Sequence, residues 1–362
     1  MRPQSSFYPP TNEIFHDPVL LAAEQTELFE NGWILVGIDD QLPENESRFI
    51  YEAEGRSLLI TRDRGARLRA FVNACTHRGT RLCSGAGHGR IQCPYHGWVF
   101  GCDGRLLGVS KRSGFPEFDD ADYGLRPLAI DRVGRFIFVH GCATPGVSLR
   151  EYLGSMTGNL EALSASMGVS LFKTEVPIES NWKLAVSGGV EDYHARFVHS
   201  DATTAIAIGE NTTTLAEHGH SWFRFDVPIP PLLKRLLTFL LGEEPEPVLE
   251  SHFLFPNITI VRIWSMVKVS NWVPMAPGRT MRRSQMFAPP HSRRRFLPLL
   301  ATIARRRQGK IMAEDQWIVG EAHLGTRAGV KLLRGPAHRE EARVEHLLQE
   351  VARRLCRRED AS

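Results

Sequence analysis

The sequence predicts an α+β chain in two parts, and three observations carry that prediction. From Trp33 to about residue 150, short β-rich segments follow one another between turn residues. Beyond that point longer strands give way to long helical stretches, the order of elements expected of an α+β domain. The 362 residues, 42% of them hydrophobic, are enough for two cores.

Taken in order, residues 1–32 form an N-terminal segment expected to pack on the second domain. Its start, MRPQSSFYPPTNEIFHDP, is polar and broken by proline, and carries no apolar leader. DPVLLAAEQTELFE (17–30) predicts a short amphipathic helix ended by Asn31-Gly32. Residues 33–150 form the β-rich domain, with WILVGI, SRFIYEA, RSLLITRD, RLRAFVNA, VFGCDGRL and RFIFVH as its strand candidates. Residues 151–362 form the second domain. A helical stretch over 150–168 leads to strands in ESHFLFPNITIVRIWSMVKVSNWVPM and RTMRRSQMFA, then to helices. In the last helix Val344, Leu347, Leu348, Val351 and Leu355 recur at the spacing of an ordinary packing face.

Composition excludes several classes of function. With 44 Lys and Arg against 41 Asp and Glu, bulk charge does not point to nucleic acid. The longest apolar run, PPLLKRLLTFLLG (230–242), contains Lys234 and Arg235 and is too short for a membrane span. It reads equally as a lid, a subunit contact or a core helix. Six cysteines in a chain without a leader predict a reducing, cytoplasmic setting rather than a disulfide framework. SGAGHGR (84–90) is glycine-rich but opens no helix, so no dinucleotide site is expected and reducing equivalents must come from another protein.

Two constellations carry chemistry. CTHRG (75–79) and CPYHGW (93–98) each place one cysteine and one histidine within three positions: Cys75 with His77, Cys93 with His96. Two thiolates and two imidazoles can close a tetrahedral zinc site or hold a Rieske-type [2Fe-2S] cluster. Zinc fingers with this ligand set usually segregate cysteines from histidines. Here each loop carries one of each, which suits a two-iron cluster clamped between loops, and Gly79, Gly97 and Pro94 suit tight turns. The second constellation is GGVEDYHARFVHS (188–200). His194 and His199 are five apart, so both face one metal only if the helix ends or distorts between them. Two histidines with a carboxylate from elsewhere form the facial triad of O2-activating Fe(II) enzymes. Glu191, one turn before His194, could accept that histidine's second N–H. Phe197, Trp264 and Trp272 read as pocket-lining or core aromatics, and 282–310 as a basic region, either solvated or a dock for an acidic electron donor.

The pair CTHRG and CPYHGW, followed by NWKLAV, Glu191, Tyr193, His194 and His199, resembles the Rieske non-heme iron oxygenases, alpha (terminal oxygenase) subunits of ring-hydroxylating systems. The resemblance implies a Rieske domain and a catalytic domain of helix-grip type, with an antiparallel sheet and helices. It implies Cys75, His77, Cys93 and His96 as ligands of a [2Fe-2S] cluster, and His194, His199 and Asp315 as ligands of a mononuclear Fe(II). Asp315 comes from KIMAEDQWIVGEAHLG (310–325), where Glu314 and Glu321 are rival carboxylates. Glu191 would bridge to a cluster histidine of a neighbouring subunit in a homotrimer. Electrons would come from an NAD(P)H-dependent reductase, with or without a ferredoxin. O2 would be used to hydroxylate, cis-dihydroxylate or oxidatively dealkylate an organic substrate of aromatic or apolar character. Some relatives with glutamate at the bridging position act on quaternary ammonium compounds, the alternative substrate class; an electron carrier without oxygenase activity is the other alternative. Ser187-Gly188-Gly189 departs from the family's Asn-containing stretch and removes side-chain bulk near the iron.

Overall fold

The computed structural model describes residues 12–53, 55–115, 117–199, 212–328 and 338–359. The first eleven residues of the expected N-terminal segment therefore lie outside the described residues. The chain divides into two compact units, Phe29–Tyr152 and a second made of Met1–Leu28 together with Leu153–Ser362.

Among the described residues, the unit Phe29–Tyr152 holds ten strands: β1 (Trp33–Ile38), β2 (Ser47–Ala53), β3 (Arg56–Arg62), β4 (Leu68–Val72), β5 (Gly87–His88), β6 (Ile91–Gln92), β7 (Val99–Phe100), β8 (Leu106–Gly108), β9 (Pro127–Val133) and β10 (Phe136–His140). Seven form an antiparallel sheet in the order β1-β10-β9-β4-β3-β2-β5, and β6-β7-β8 form a second, small sheet. The all-buried FIFVH of β10 pairs with both β1 and β9, which explains its unbroken apolar run. Leu59, Phe71, Trp98, Phe100 and Leu125 close a core around Cys75 and Cys93.

In the other unit, α1 (Pro18–Glu24) starts with Asp17 as N-cap, its carboxylate accepting from Val19 N at 2.7 Å, and Pro18 in the first turn. α2 (Leu149–Leu153) lies at the boundary and α3 (Met156–Ala165) follows it. Seven strands come next: β11 (Ser170–Ile178), β12 (Thr212–Leu215), β13 (Ser221–Asp226), β14 (Val248–Leu254), β15 (Ile258–Ile263), β16 (Met266–Ala276) and β17 (Arg279–Phe287). β12 to β17 form an antiparallel meander, and β11 closes it against β17. The helices are α4 (Trp182–Val190), α5 (Ala195–Val198), α6 (Pro231–Leu241), α7 (Leu297–Thr326) and α8 (Ala342–Glu359); α4 packs on α7, α8 and β16. An antiparallel sheet with helices is the α+β arrangement expected.

One face of α6 joins the core: Leu237, Leu240 and Leu241 are buried with Phe172, Phe225 and Met286, each worth about 1.5–3 kcal/mol of transfer free energy, while Leu232, Leu236 and Phe239 are exposed. Among the described residues, no helix is long and apolar enough to cross a membrane. Glu24 of α1 is fully buried, accepting from Lys183 Nζ at 2.6 Å and from Trp182 Nε1 at 2.7 Å, which fixes the N-terminal helix to α4.

Candidate metal centres and active site

The two cysteine–histidine loops are the same turn built twice. Cys75 N donates to Thr80 O and Gly79 N donates back to Cys75 O, both at 2.8 Å; Cys93 N donates to Trp98 O at 2.7 Å and Gly97 N to Cys93 O at 3.0 Å. The fifth residue of each turn has positive φ, +76° at Gly79 and +70° at Gly97, the conformation that glycine adopts without penalty. The turns set Cys75 and Cys93 side by side in the core, and bring the rings of His77 and His96 to 4.8 Å between centroids at a more open level. His77 stacks on Trp98 at 4.6 Å, and its Nδ1 is buried with no hydrogen-bond partner, as a ligand nitrogen would be. Burial, with the neighbouring Cys93 thiol, pushes Cys75 up; a cation is what would let both become thiolates. Cys102, by contrast, is an inert thiol: burial raises it to about 11, and it donates to Glu46 O and Gly89 O.

The second site forms where α4 stops. Asn181 caps α4, its side chain accepting from Lys183 N at 3.0 Å, and the helix ends at Val190, leaving Glu191 in extended conformation. A single turn, α5, follows, flanked by His194 and by His199, which is again extended. The helix therefore ends at the second histidine: His194 is still in αR conformation, and the chain leaves the helix at His199. Glu191 does not share a helix face with His194. Its carboxylate folds over the start of α5 instead, accepting from His194 N at 3.1 Å and pairing with His194 Nδ1. α7 brings in Asp315, whose Oδ1 lies 3.5 Å from His194 Nε2 and 3.3 Å from His199 Nε2.

These three donor atoms lie within 4.8 Å of one another. Donors around one ion with bonds of about 2.1 Å stand roughly 3 Å apart, so the two carboxylate–imidazole separations are already close to what one metal requires. Asp315 Oδ1 is buried and accepts no hydrogen bond. Burial disfavours protonation of His194, but the Asp315 and Glu191 carboxylates outweigh it and raise its pKa to about 10. A metal cation at Nε2 would take the place of that proton. Glu314, a rival for Asp315 in the sequence, accepts instead from His199 Nδ1 at 2.9 Å. Each histidine therefore has its own carboxylate behind it, Glu191 for one and Glu314 for the other. Burial lifts Asp192 to about 7 against the pull of Arg343.

A cavity of about 200 Å³ opens beside these residues, walled by the inner face of β13 to β17 and by α7. Trp264 and Trp272 line it, whereas Phe197 is exposed and does not. No residue of α6 lines it. Gly188 and Gly189 also border it, but the bulk they lack is taken up by packing: a Cβ on Gly189 would sit 2.8 Å from Trp272 Cζ2. The basic run 282–310 is split by the fold. Arg293, Arg294, Arg295, Arg305 and Arg306 are exposed, while Arg282 and Arg307 turn into the cavity.

Residues 169–357, just over half of the chain, match the family described as ring hydroxylating alpha subunit (catalytic domain). The chain belongs to that family. Residues 32–119 of this alpha subunit match the Rieske [2Fe-2S] domain, so the cofactors of its family are a Rieske cluster and a mononuclear iron, supplied with O2 and with electrons from a reductase. Among curated relatives, it is 28% identical over 200 residues to the glycine betaine monooxygenase oxygenase subunit of Chromohalobacter salexigens, covering 55% of this chain and 44% of that one. It is 33% identical over 204 residues to toluate 1,2-dioxygenase subunit alpha of Pseudomonas putida, covering 52% and 43%. The chain thus matches about half the length of these relatives. Its fold is that of a quaternary ammonium Rieske monooxygenase (18% identity, TM-score 0.83, 95% of this chain and 94% of that one). It is also that of naphthalene 1,2-dioxygenase from a Rhodococcus species (19% identity, TM-score 0.77, 95% and 93%).

Sequence reasoning missed two features of this alpha subunit's site. Glu314 as the partner of His199 is one, and the cations Lys268 and Arg282 in the cavity are the other. Strand alternation in RTMRRSQMF, with Thr280, Arg282, Ser284 and Met286 on the buried face, is the pattern that could have flagged Arg282.

Proposed function

We propose that the chain is a terminal oxygenase whose segment 33–150 feeds electrons to segment 151–362, with 1–32 as part of the latter. The observation that supports this best is the coexistence of two ligand sets, the paired Cys/His turns and the His194–His199–Asp315 group, the second opening on an apolar-walled cavity. Cys75 and Cys93 would hold one iron of the cluster, and His77 and His96 the other. His194, His199 and Asp315 would hold Fe(II) and leave coordination positions facing the cavity. When bound, the cluster supplies single electrons and the Fe(II) supplies O2 activation, for mono- or cis-dihydroxylation or oxidative dealkylation.

The protein's own part is positional. Glu191 and Glu314 hold the two imidazoles in one tautomer and orientation, leaving each Nε2 for metal. Phe223, Phe225, Trp264 and Met266 keep water from the reacting centre and seat an aromatic or apolar substrate. Glu191 would further bridge to a cluster histidine of a second copy in a homotrimer. The electron donor would be an NAD(P)H-dependent reductase, directly or through a ferredoxin. A second reading, oxidation of a quaternary ammonium compound, draws on the named activity of the glycine betaine relative, although the Trp272 and Trp264 rings in the cavity are already covered by Arg282 and Arg307.

The test is iron and acid-labile sulfide per chain in anaerobically purified protein, with EPR of the dithionite-reduced form. About three irons and two sulfides with a Rieske-type spectrum are expected. Zinc without sulfide would overturn the reading. Glu191→Ala supplied with saturating Fe(II) should carry both metals, at the weaker iron affinity expected when His194 loses its orienting carboxylate, and lose turnover; undiminished steady-state activity would remove Glu191 from the electron path.

A further inference from the structure

Two cations of the cavity, Arg282 and Lys268, are in ion-pair contact with no acid among the described residues. Arg282 lies on the inner face of β17, only 2% exposed, with its guanidinium carbon 5.2 Å from the centre of the Trp272 ring. Its Nε and Nη1 are buried and have no hydrogen-bond partner. Lys268 reaches the same cavity from β16, and its Nζ donates to Gln308 Oε1 at 3.0 Å. The one acid whose charge acts on both is Asp315, and its carboxylate is turned to His194 and His199. Burial pulls Lys268 down to about 8, helped by repulsion from Arg282, and burial pulls Arg282 down to about 10.

A guanidinium buried without an acceptor is costly, and the natural remedy is an anion that accepts from two of its N–H groups at once. A carboxylate has that geometry, and the planar fork of arginine matches it better than a point-charge ammonium does. Around this charged spot the wall is apolar: Phe223, Phe225, Ile263, Met266, Met286 and Ile311. We propose that the substrate is an organic carboxylate whose anionic group is held by Arg282, with Lys268 adding positive potential and the apolar body extending toward His194, His199 and Asp315. This deepens the oxygenase reading and rests on it for the fate of the body, though not for the binding itself. A quaternary ammonium compound without an acid group would face two cations and a metal, and is disfavoured.

The experiment is anaerobic calorimetric titration of the iron-loaded protein with benzoate, 3-phenylpropionate, their amides, and phenyltrimethylammonium. At least one carboxylate should bind ten-fold or more tightly than its amide, and the ammonium should not compete. Arg282→Gln should remove that preference, Arg282→Lys should restore part of it, and amide binding should stay the same. Retained amide binding and mononuclear iron report whether the unit around Arg282 folds in the Arg282 variants; Lys268→Met, expected to weaken carboxylate binding several-fold, carries the test if it does not. Equal binding of acid and amide, tighter binding of the ammonium, no binding of either acid, or full carboxylate affinity in folded Arg282→Gln would overturn the proposal. Metal analysis of the same samples separates the two readings, since absence of mononuclear iron counts against the oxygenase and leaves the anion preference standing on the calorimetry.

Discussion

The proposed cluster ligands all fall between Cys75 and His96, on two turns with matching backbone hydrogen bonds, whereas the proposed iron ligands run from His194 to Asp315 and meet only because α7 packs on α4. In the first site the backbone of each turn aims its own ligands, and the partner turn is supplied a few residues later by the small β6-β7-β8 sheet. In the second, neither histidine is aimed by a regular helix. Glu191 and Glu314 hold them, and Asp315 depends on the register of a 30-residue helix. A locally encoded site should fail one ligand at a time, and an assembled site should be sensitive to packing some distance away.

The largest effect expected is a double dissociation. Cys75→Ala should abolish the Rieske EPR spectrum while mononuclear iron stays bound; His199→Ala should remove the mononuclear iron, bring turnover to background and leave the Rieske spectrum intact. Loss of both metals in either variant would erase the contrast between the sites. Next in size, Glu314→Ala should weaken Fe(II) binding about 10- to 100-fold, read by chelator competition, because His199 loses the group that orients it. Unchanged iron affinity would reduce Glu314 to a surface acid.

Glycine substitutions then separate the two construction principles. Gly189→Ala should cost about 1–3 kcal/mol in denaturant unfolding, since its Cβ would meet Trp272 at 2.8 Å, and should reshape the cavity wall. Gly79→Ala has open space for its Cβ, so its cost of roughly 1–2 kcal/mol would come from backbone conformation alone. The smallest effect concerns the far end of α7. Burial, with His16 and Arg327 nearby, holds His323 down to about 4. The unfolded chain therefore takes up this proton first. The stability involved is complete above pH 6.5 and declines as pH falls toward 4. His323→Leu should accordingly lose less stability between pH 7 and 5 than the parent, and parallel losses would show that this imidazole does not contribute.

How much was legible in the sequence follows the same division. Cys75, His77, Cys93 and His96 could be grouped from spacing, because a five-residue turn fixes where its ligands point. The need for a helix break between His194 and His199 was also readable, as five residues do not fit one helix face. Adjacent carboxylates on one helix are different. Glu314 and Asp315 point about 100° apart, and only the packing of α7 tells which of them faces the two Nε2 atoms. Arg282 beside Arg283 reads as part of a basic run, yet neighbours in a strand face opposite sides and only one of the two lines the cavity. The Ser187-Gly188-Gly189 stretch suggested empty space because the sequence does not show that Trp272 packs against it.

The Glu24–Lys183 pair has a consequence for the order in which the protein comes into being. Glu24 precedes its partner by 159 residues, so at about 5–20 residues per second on the ribosome Lys183 emerges on the order of ten seconds or more later. In that interval every strand of the Phe29–Tyr152 sheets is already out, since they recruit none from elsewhere. The acid must remain hydrated until Lys183 arrives, and then both charges leave water together, with Trp182 donating the remaining hydrogen bond. The opening helix can latch only after Lys183 has emerged, and by then the residues of both Cys/His turns are already out.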